Sequence, residues 1–595
     1  MAKIIFFSPH SLIWVHAFPE AIVAESLMKS GHDIVYITCG ESLNSACICL
    51  SMMGVQSGSL EVQRVQVCHQ CSSRADLIRG QMKLPGYSLS SAAKTQDDEE
   101  VTAIMRDLTP ANFSELVLEN VPIGRIAIYE FLLKRKKMNA DLSEGEWREF
   151  YPILKSAIKV FLIVKRILDK EKPDYAISYN SLYSVNAVFT YLARQKGVIP
   201  YFMHAGLNLS DSLQQLIIGR DSTLSYIKGI VSRWPEIKSM SCNESLLSEV
   251  TGHFLELLHG KNVFAYSAPK SKFNIDVRKH FGVFPDQKIL VATLSSYDEQ
   301  FAVEFVGAML KPEKLLFKTQ ADWVQVLVEW IKRKPEYFLI IRVHPREFPN
   351  KRESVKSQHA EIMQKMFVGL PENVRVNWPE DGLSLYDLAC EADAFLNAWS
   401  SVGQEMSLLG LPVVIYSKEL VLYPVDLNYL GETESQYFDQ IEQALKDGWS
   451  FERVRKAYRW YAMMFGRSQI SIENSYTGPA TYKNKILLKF INGLRRLYPL
   501  VLEWNDCQKR SVSLECAEVL NKVFIKRADR PFDVVDRGDE IVPSLEQETE
   551  YIKIEMARIA KALWGDIEKE EGGGRGKLYQ HFYKFLSEEK RTTLS

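Results

Sequence analysis

Residues 338–345, FLIIRVHP, constrain the fold of this chain more than any other segment. A continuous apolar run that stops at a cation and an imidazole predicts a parallel strand, buried on both faces, that delivers polar groups at its carboxyl end. Residues 393–399 repeat the design and run into Ser400-Ser401-Val402-Gly403-Gln404-Glu405. Here Ser400 or Ser401 reads as a helix cap and Gly403 as a position that lets another backbone come close. Gly410-Leu411-Pro412 then breaks the chain before a further strand, residues 413–416. In an open α/β sheet ligands sit at strand carboxyl ends, and helix amino termini attract anions. One basic and one hydroxyl-rich strand end therefore predict a phosphate site.

Arg342 or His344 would donate charge-assisted hydrogen bonds worth about 1.5–3 kcal/mol each to a phosphate oxygen. The helix start at Ser400/Ser401 would add about 0.3–2 kcal/mol through its dipole. Glu405, one turn into the helix, would accept hydrogen bonds from the two hydroxyls of a ribose. Together these groups describe a nucleotide site. A plainer explanation covers each part singly: Ser401 followed by Gln404 satisfies the capping-box pattern, and His344 before Pro345 fits a loop histidine.

The segments LIIRVHP and LYDLACEADAFLNAWSSVGQEMSLLGLPVVIY together resemble the nucleotide-binding half of bacterial glycosyltransferases of the GT-B architecture, especially the capsule and lipopolysaccharide biosynthesis group. The His-Pro and Ser-Ser pairs are similar to motifs that grip the phosphate of a CMP-sugar in sialyltransferases and 3-deoxy-manno-octulosonic acid (Kdo) transferases. The resemblance implies His344, Ser400 and Ser401 at the phosphate and Glu405 at the ribose. It is concentrated in residues 338–417 and is architectural elsewhere. The amino-terminal half lacks the Asp/Glu-Asp-Gly motif in which those transferases often keep their base.

Length and pattern extend this to the whole chain. At 595 residues it exceeds one compact core. The expected class is α/β: two doubly wound Rossmann-like domains facing a cleft (GT-B), with a helical C-terminal extension. The boundaries read as 1–265 for an acceptor-side domain with an insertion near 56–150, 266–465 for the nucleotide-sugar domain, and 466–595 for the helical crossover and tail. A net charge of −1 provides no global field for nucleic acid. Nine scattered cysteines and an amino terminus that reads as a strand place the chain in the reducing cytoplasm. No long uncharged apolar run predicts a spanning helix. Residues 480–505 combine Lys483, Lys485, Lys489, Arg495 and Arg496 with leucines and isoleucines. They read as a basic helix that either lies on the inner face of the plasma membrane or packs on the body with its lysines in water.

The opening strand-helix-strand pattern over residues 3–8, 18–29 and 33–38 begins a doubly wound sheet. The loop 9–16 between them has no glycine-rich phosphate cradle, so this domain is assigned the acceptor. His16 in that loop is the first candidate for the catalytic base, with His10, Glu41, His204 and Asp211 as alternatives. His10, His204 and Asp211 are placed on the acceptor side, and Asn180 and Asn208 face the cleft. The polar stretch 56–100 reads as an inserted or mobile region. Within it Cys68-His69-Gln70-Cys71 has zinc-ligand spacing, but no second well-spaced pair is apparent, and no metal site is assigned.

The expected activity is metal-independent transfer of a sugar from a nucleotide-activated donor, CMP-Kdo-like or a UDP- or GDP-sugar, to a growing cell-surface polysaccharide or lipopolysaccharide. His16 and His344 are the expected catalytic residues. Arg342, His344, Ser400, Ser401, Gly403 and Glu405 hold the donor, and no cofactor is needed. The partners are the nucleotide-sugar and a carbohydrate or lipid-linked glycan. The alternatives are a teichoic-acid-type polyol-phosphate transferase using a CDP-alcohol, a nucleotide-sugar epimerase, and a noncatalytic nucleotide-sugar-binding scaffold.

Overall fold

The computed structural model of the chain describes residues 1–56, 58–260, 266, 268–270, 275–350, 354–472, 514–535, 542–565 and 575–587. The basic segment 480–505 and Cys507 lie outside these residues. The first sheet contains β1 (Lys3–Ser8), β2 (Asp33–Thr38), β3 (Gly86–Ser88), β4 (Tyr175–Tyr179), β5 (Ile199–Ala205) and β6 (Gln215–Arg220). The second contains β7 (Lys288–Thr293), β8 (Tyr337–Arg342), β9 (Val374–Asn377), β10 (Ala394–Asn397), β11 (Val413–Ile415) and β12 (Tyr429–Leu430). A last strand, β13 (Ile470–Ser471), returns to the first sheet and pairs antiparallel with β6.

Both sheets are wound the same way. The first runs β13-β6-β5-β4-β1-β2-β3 and the second β12-β11-β10-β7-β8-β9. All pairings in the second sheet are parallel, as are those among β1 to β5. Strand order therefore reverses between β1 and β4 and again between β7 and β10, where doubly wound sheets open a crevice at their carboxyl ends. The chain is α/β with two such domains, and β8 is buried along its whole length, as its unbroken apolar run demands.

Two local expectations are corrected. The first helix is Trp14–Lys29, so Trp14, Val15 and His16 belong to its first turn rather than to a loop. It is enclosed over most of its circumference and so carries no amphipathic stripe. Residues 56–100 do not form an inserted loop: they contain the helix Glu61–Gln81, which carries the chain from β2 to β3. That helix buries only Val67, Cys68, Cys71, Ala75 and Ile78, a narrow face at helical spacing that its polar remainder obscures. Residues 118–138 hold two short helices, Ile123–Ile126 and Tyr129–Arg135. The segment following Gly206 holds β6 before any helix begins.

The two domains meet through the segments that leave their carboxyl ends. The helix Tyr129–Arg135 packs on the helix Tyr297–Phe305, and Arg125 donates to the carbonyl of Phe305. Farther along the chain, Phe451–Phe465 and Leu545–Trp564 both pack on Glu244–His259. They are pinned by Arg459, whose Nε and Nη2 lie 2.9 and 2.6 Å from the two carboxylate oxygens of fully buried Glu548. Glu548 also accepts the amide of Cys242 at 2.8 Å.

Glu20 lies inside the first helix with its carboxyl against the ends of β1 and β4. It accepts hydrogen bonds from Ser8 Oγ at 2.5 Å and from the Tyr179 amide at 2.8 Å. Burial pushes its pKa from 4.5 up to about 8, so it carries a proton at neutral pH. Because the folded value exceeds the unfolded one, its contribution to stability is complete below pH 4.5 and is lost as pH rises through about 8. Glu20→Gln is expected to gain stability relative to the wild type across that window. Urea midpoints of both proteins at the two ends of the window measure the difference, which should vanish at the acid end.

Candidate functional site

The carboxyl ends of β7, β8 and β10 enclose a cavity of about 330 Å³ at the second switch point. Ser295 and Ser296 follow β7, His344 follows β8, and Trp399, Ser400 and Ser401 follow β10. Glu299 and Gln300 of the helix Tyr297–Phe305 form one wall, and Leu224 of the first domain closes another side. The His-Pro and Ser-Ser strand tips thus share one cavity bordered by both domains.

The tips are held by their neighbours. Asn397 at the end of β10 donates to the Ser400 carbonyl at 2.8 Å and to Tyr423 Oη at 3.0 Å, and it accepts from Thr293 Oγ1. Ser295 Oγ takes the amide of Trp399 at 3.1 Å. Ser400 Oγ accepts from the amide of Val402, whereas Ser401 donates to Glu405 at 2.7 Å. Gln404 is occupied by the indole of Trp460 at 2.7 Å, so the capping-box explanation of Ser401 is not realised. The amides of Ser400 and Ser401 have no acceptor among the described residues. Two adjacent free amides beside two hydroxyls form a concavity suited to an anion.

His344 has a defined tautomer. The Arg346 amide lies 3.2 Å from Nδ1, and because an amide only donates, Nδ1 is the acceptor and Nε2 carries the hydrogen. Ser296 Oγ adds a second contact to Nδ1 at 3.0 Å. Burial, assisted by the charges of Arg346, Arg342 and Lys136, pushes the His344 pKa down to about 4. The imidazole is therefore neutral at pH 7, with Nε2–H available to a ligand.

Three expected donor residues are corrected. Arg342 does not line the cavity: it is buried and donates to Asn377 Oδ1 and the Leu383 carbonyl. Burial pushes its pKa down to about 10, which leaves it charged at pH 7. Glu405 is also buried and has both carboxylate oxygens engaged, by Ser401 and by Tyr386 Oη at 3.0 Å. Through these contacts it positions Ser401. Gly403 accommodates side chains rather than a backbone, since a Cβ there would lie 1.8 Å from Tyr423 Oη and 2.7 Å from Asn428 Oδ1.

In the first domain the histidines gather around two tyrosines. His16 stacks on Tyr179 at 4.1 Å, His204 stacks on the same ring at 5.4 Å, and His10 meets Tyr183 edge-on at 5.9 Å. Burial lowers the pKa of His10 to about 4 and of His16 to about 3, with His10 and His204 adding repulsion at His16. His10 borders a cavity of about 220 Å³ with Glu130, Glu149, Arg64 and Lys134 as its other charged neighbours and Ile48, Leu50, Phe131 and Ile153 among its apolar ones. His10 Nε2 is buried there without a hydrogen-bond partner, and so is Glu130 Oε2. Glu130 Oε1 accepts the Ser184 amide at 2.7 Å, and burial pushes the carboxyl up to about 7.

The other acceptor-side candidates stand apart from this cavity. Asp211 takes a 3.4 Å contact from Gln215 and lies near Glu249, whose pKa burial and Asp211 together push up to about 7. Asn208 is buried and bonded to Ser210, so it does not face the cleft. The Asn180 side chain accepts the Leu182 amide, and Glu41 lies toward His69. Glu20 and Glu130 were missed from sequence because a lone glutamate in an apolar helix signals nothing until its carboxyl is seen to be buried.

Between the two cavities the domains are clasped by buried cations. Lys136, fully buried, directs Nζ to the carbonyls of Arg346, Phe348 and Val355 in the other domain. Arg346 in turn donates to Asp298 Oδ2 at 2.9 Å, to the Leu133 carbonyl at 3.1 Å and to Tyr266 Oη at 2.9 Å.

No family model matches the sequence, and no curated protein matches it significantly. Among solved structures the chain is similar to the KpsC beta Kdo 2,4 transferase of Thermosulfurimonas dismutans, at 13% identity over 48% of this chain and 79% of that one, with a TM-score of 0.30. It is similar to the UDP-GlcNAc 2-epimerase of Neisseria meningitidis bound to UDP-GlcNAc, at 11% identity over 77% and 94%, TM-score 0.25. It is similar also to the Streptomyces sp. SF2575 glycosyltransferase SsfS6 complexed with thymidine diphosphate, at 10% identity over 78% and 96%, TM-score 0.21. Likenesses of this degree do not bear on the chemistry of the two cavities.

Lys136→Met keeps the aliphatic stem and removes the ammonium from three buried carbonyls. A lowered urea midpoint, equivalent to about 1.5–3 kcal/mol, is the expected result, because hydrogen bonds to a charged group contribute on that scale.

Proposed function

We propose that the chain is a glycosyltransferase that moves a sugar from a nucleotide-activated donor to a carbohydrate hydroxyl. Support comes from one observation: His344, Ser400 and Ser401, expected at a donor phosphate from their sequence context, line one cavity at the switch point of a doubly wound sheet. The donor phosphate occupies this cavity, and the sugar projects toward the first domain. In the reaction the acceptor oxygen bonds to the anomeric carbon as the bond from that carbon to the phosphate oxygen breaks, and the departing oxygen keeps the electron pair. The growing negative charge meets His344 Nε2–H, the Ser400 hydroxyl, and the free amides of Ser400 and Ser401. This set supplies stabilisation without a metal, and Arg342 contributes only by fixing Asn377 and Leu383 behind the strand tips.

The acceptor enters against the first-domain cavity, whose apolar wall and polar rim suit a glycan carried on a lipid. Its proton passes to Glu130. A base works best when its pKa lies near the working pH, and Glu130 at about 7 meets that condition where His16 at about 3 does not. His16 and His10 then serve as neutral donors that orient the acceptor. A CMP-Kdo-like donor, a capsule or lipopolysaccharide acceptor and work at the inner face of the plasma membrane complete the proposal. The first-domain cavity is the feature that favours a transferase over an epimerase, which has no second substrate to hold.

The purified protein, incubated with labelled CMP-, UDP-, GDP- and CDP-donors with and without glycan acceptors, should consume one donor only when acceptor is present. Change of the free donor alone would make it an epimerase, and binding without turnover a scaffold. His344→Ala is expected to lower kcat by about 10²–10³ with the fold intact by circular dichroism, the loss typical of one oxyanion-stabilising donor. The pH profile separates the candidate bases. With Glu130 as base, kcat/KM rises through about pH 7 and Glu130→Gln abolishes the rise; with His16 as base, the profile is flat across neutrality.

A further inference from the structure

The ladders of the second sheet stop just short of the strand tips that line the donor cavity. On either side of β7 the last bonds run from the Leu294 amide to the Arg342 carbonyl at 3.0 Å and from the Ala398 amide to the Thr293 carbonyl at 3.4 Å. Ser295, one residue beyond Leu294, has left the sheet but is buried, so its peptide groups need partners from elsewhere. A side chain supplies both. Gln320, the first residue of the helix Gln320–Ile331, accepts the Ser295 amide on Oε1 at 2.7 Å and donates from Nε2 to the Ser295 carbonyl at 3.2 Å. Its carboxamide carries the donor and acceptor of a peptide group and continues the ladder for one residue where no strand is available.

The start of the helix does not explain this burial. Thr319 and Asp322 already cap it, and a glutamine ordinarily keeps its amide in water. Gln320 is instead 0% exposed. Its orientation is also fixed from behind. The Ser295 amide only donates and so claims Oε1, which turns Nε2 toward His359 Nε2 at 3.5 Å. A flipped carboxamide would set donor against donor at Ser295. His359 stacks on Tyr297 at 5.4 Å and lies 3.5 Å from Oε1 of Glu347, in the turn that follows His344.

Ser295 passes this order to the concavity at Ser400 and Ser401. Its Oγ takes the Trp399 amide at 3.1 Å, while Asn397 donates to the Ser400 carbonyl at 2.8 Å. A peptide unit is planar, so a held carbonyl also fixes the amide on its far side, and Asn397 thereby sets the Ser401 amide. The carbonyl of Trp399 accepts no such bond among the described residues. The direction of the Ser400 amide therefore depends on where the Trp399 amide is anchored. We propose that Gln320 is a positioning residue of the donor site, aiming the free Ser400 amide at the phosphate through Ser295 and Trp399. The role rests on the proposed phosphate site and adds to it a side chain that does not line the cavity. His344 takes its tautomer from the Arg346 amide and stands outside this path.

Gln320→Met keeps the length of the side chain and removes both bonds to Ser295, whereas Ser295→Ala keeps those bonds and removes the link to Trp399. Titration calorimetry of the full chain with CMP, UDP and GDP measures affinity, and urea midpoints record any loss of stability separately. Each variant is expected to bind the nucleotide that the wild type holds about tenfold more weakly, the scale of one hydrogen bond to a charged group. The double variant should bind no more weakly than the weaker single one, because both substitutions cut one path. Losses that multiply to about a hundredfold, or a Gln320→Met protein of lower stability and unchanged affinity, would overturn the role. Should Gln320→Met fail to fold, Gln320→Glu takes its place in the same comparison, since it keeps the acceptor for the Ser295 amide and loses only the donor. A wild-type chain that binds none of the three nucleotides removes the phosphate site itself, and the role with it.

Discussion

The geometry of the cleft depends on a lysine buried where water cannot reach it. Lys136 reaches from the first domain to three carbonyls that follow His344 in the second, and Arg346 returns the contact by donating to the Leu133 carbonyl. A cation without water is costly unless every donor finds an acceptor, so the segment after β8 must hold the one shape that supplies them. That shape also directs the Arg346 amide at His344 Nδ1 and so leaves Nε2–H facing the cavity. Inter-domain packing and the orientation of a proposed catalytic group are thus set by the same few hydrogen bonds.

Burial acts on the titratable groups of both cavities in a consistent direction. It keeps His10, His16 and His344 neutral at physiological pH and raises the glutamates Glu20 and Glu130 into or above the neutral range. Neutral imidazoles donate hydrogen bonds without competing for the proton that leaves the acceptor. Of these groups only Glu130 combines an unpartnered oxygen in a cavity with a basicity matched to neutral pH.

Much of this architecture was legible in the sequence. FLIIR and AFLN are short apolar runs ending in polar tips, the pattern of buried parallel strands, and the structure makes them β8 and β10. The neighbourhood of His344, Ser400 and Ser401 followed from that. The direction of individual side chains did not follow, because a residue at a strand tip faces either the crevice or the layer behind it. Arg342 and Glu405 took the second course, drawn by Asn377 and Leu383 in one case and by Tyr386 and Ser401 in the other. The helix Glu61–Gln81 was hidden by its narrow buried face.

The return of β13 to the edge of the first sheet bears on how the chain comes to be folded. Everything between β6 and β13, including the whole second sheet, is interposed in sequence between two strands that lie side by side. On a ribosome the edge of β6 stays unpaired until residues 470–471 have emerged, by which time the second sheet is complete. The last partner of the earliest-made sheet is therefore synthesised only after the whole second sheet, and an exposed edge must be tolerated, or shielded by a chaperone, while residues 221–469 are made.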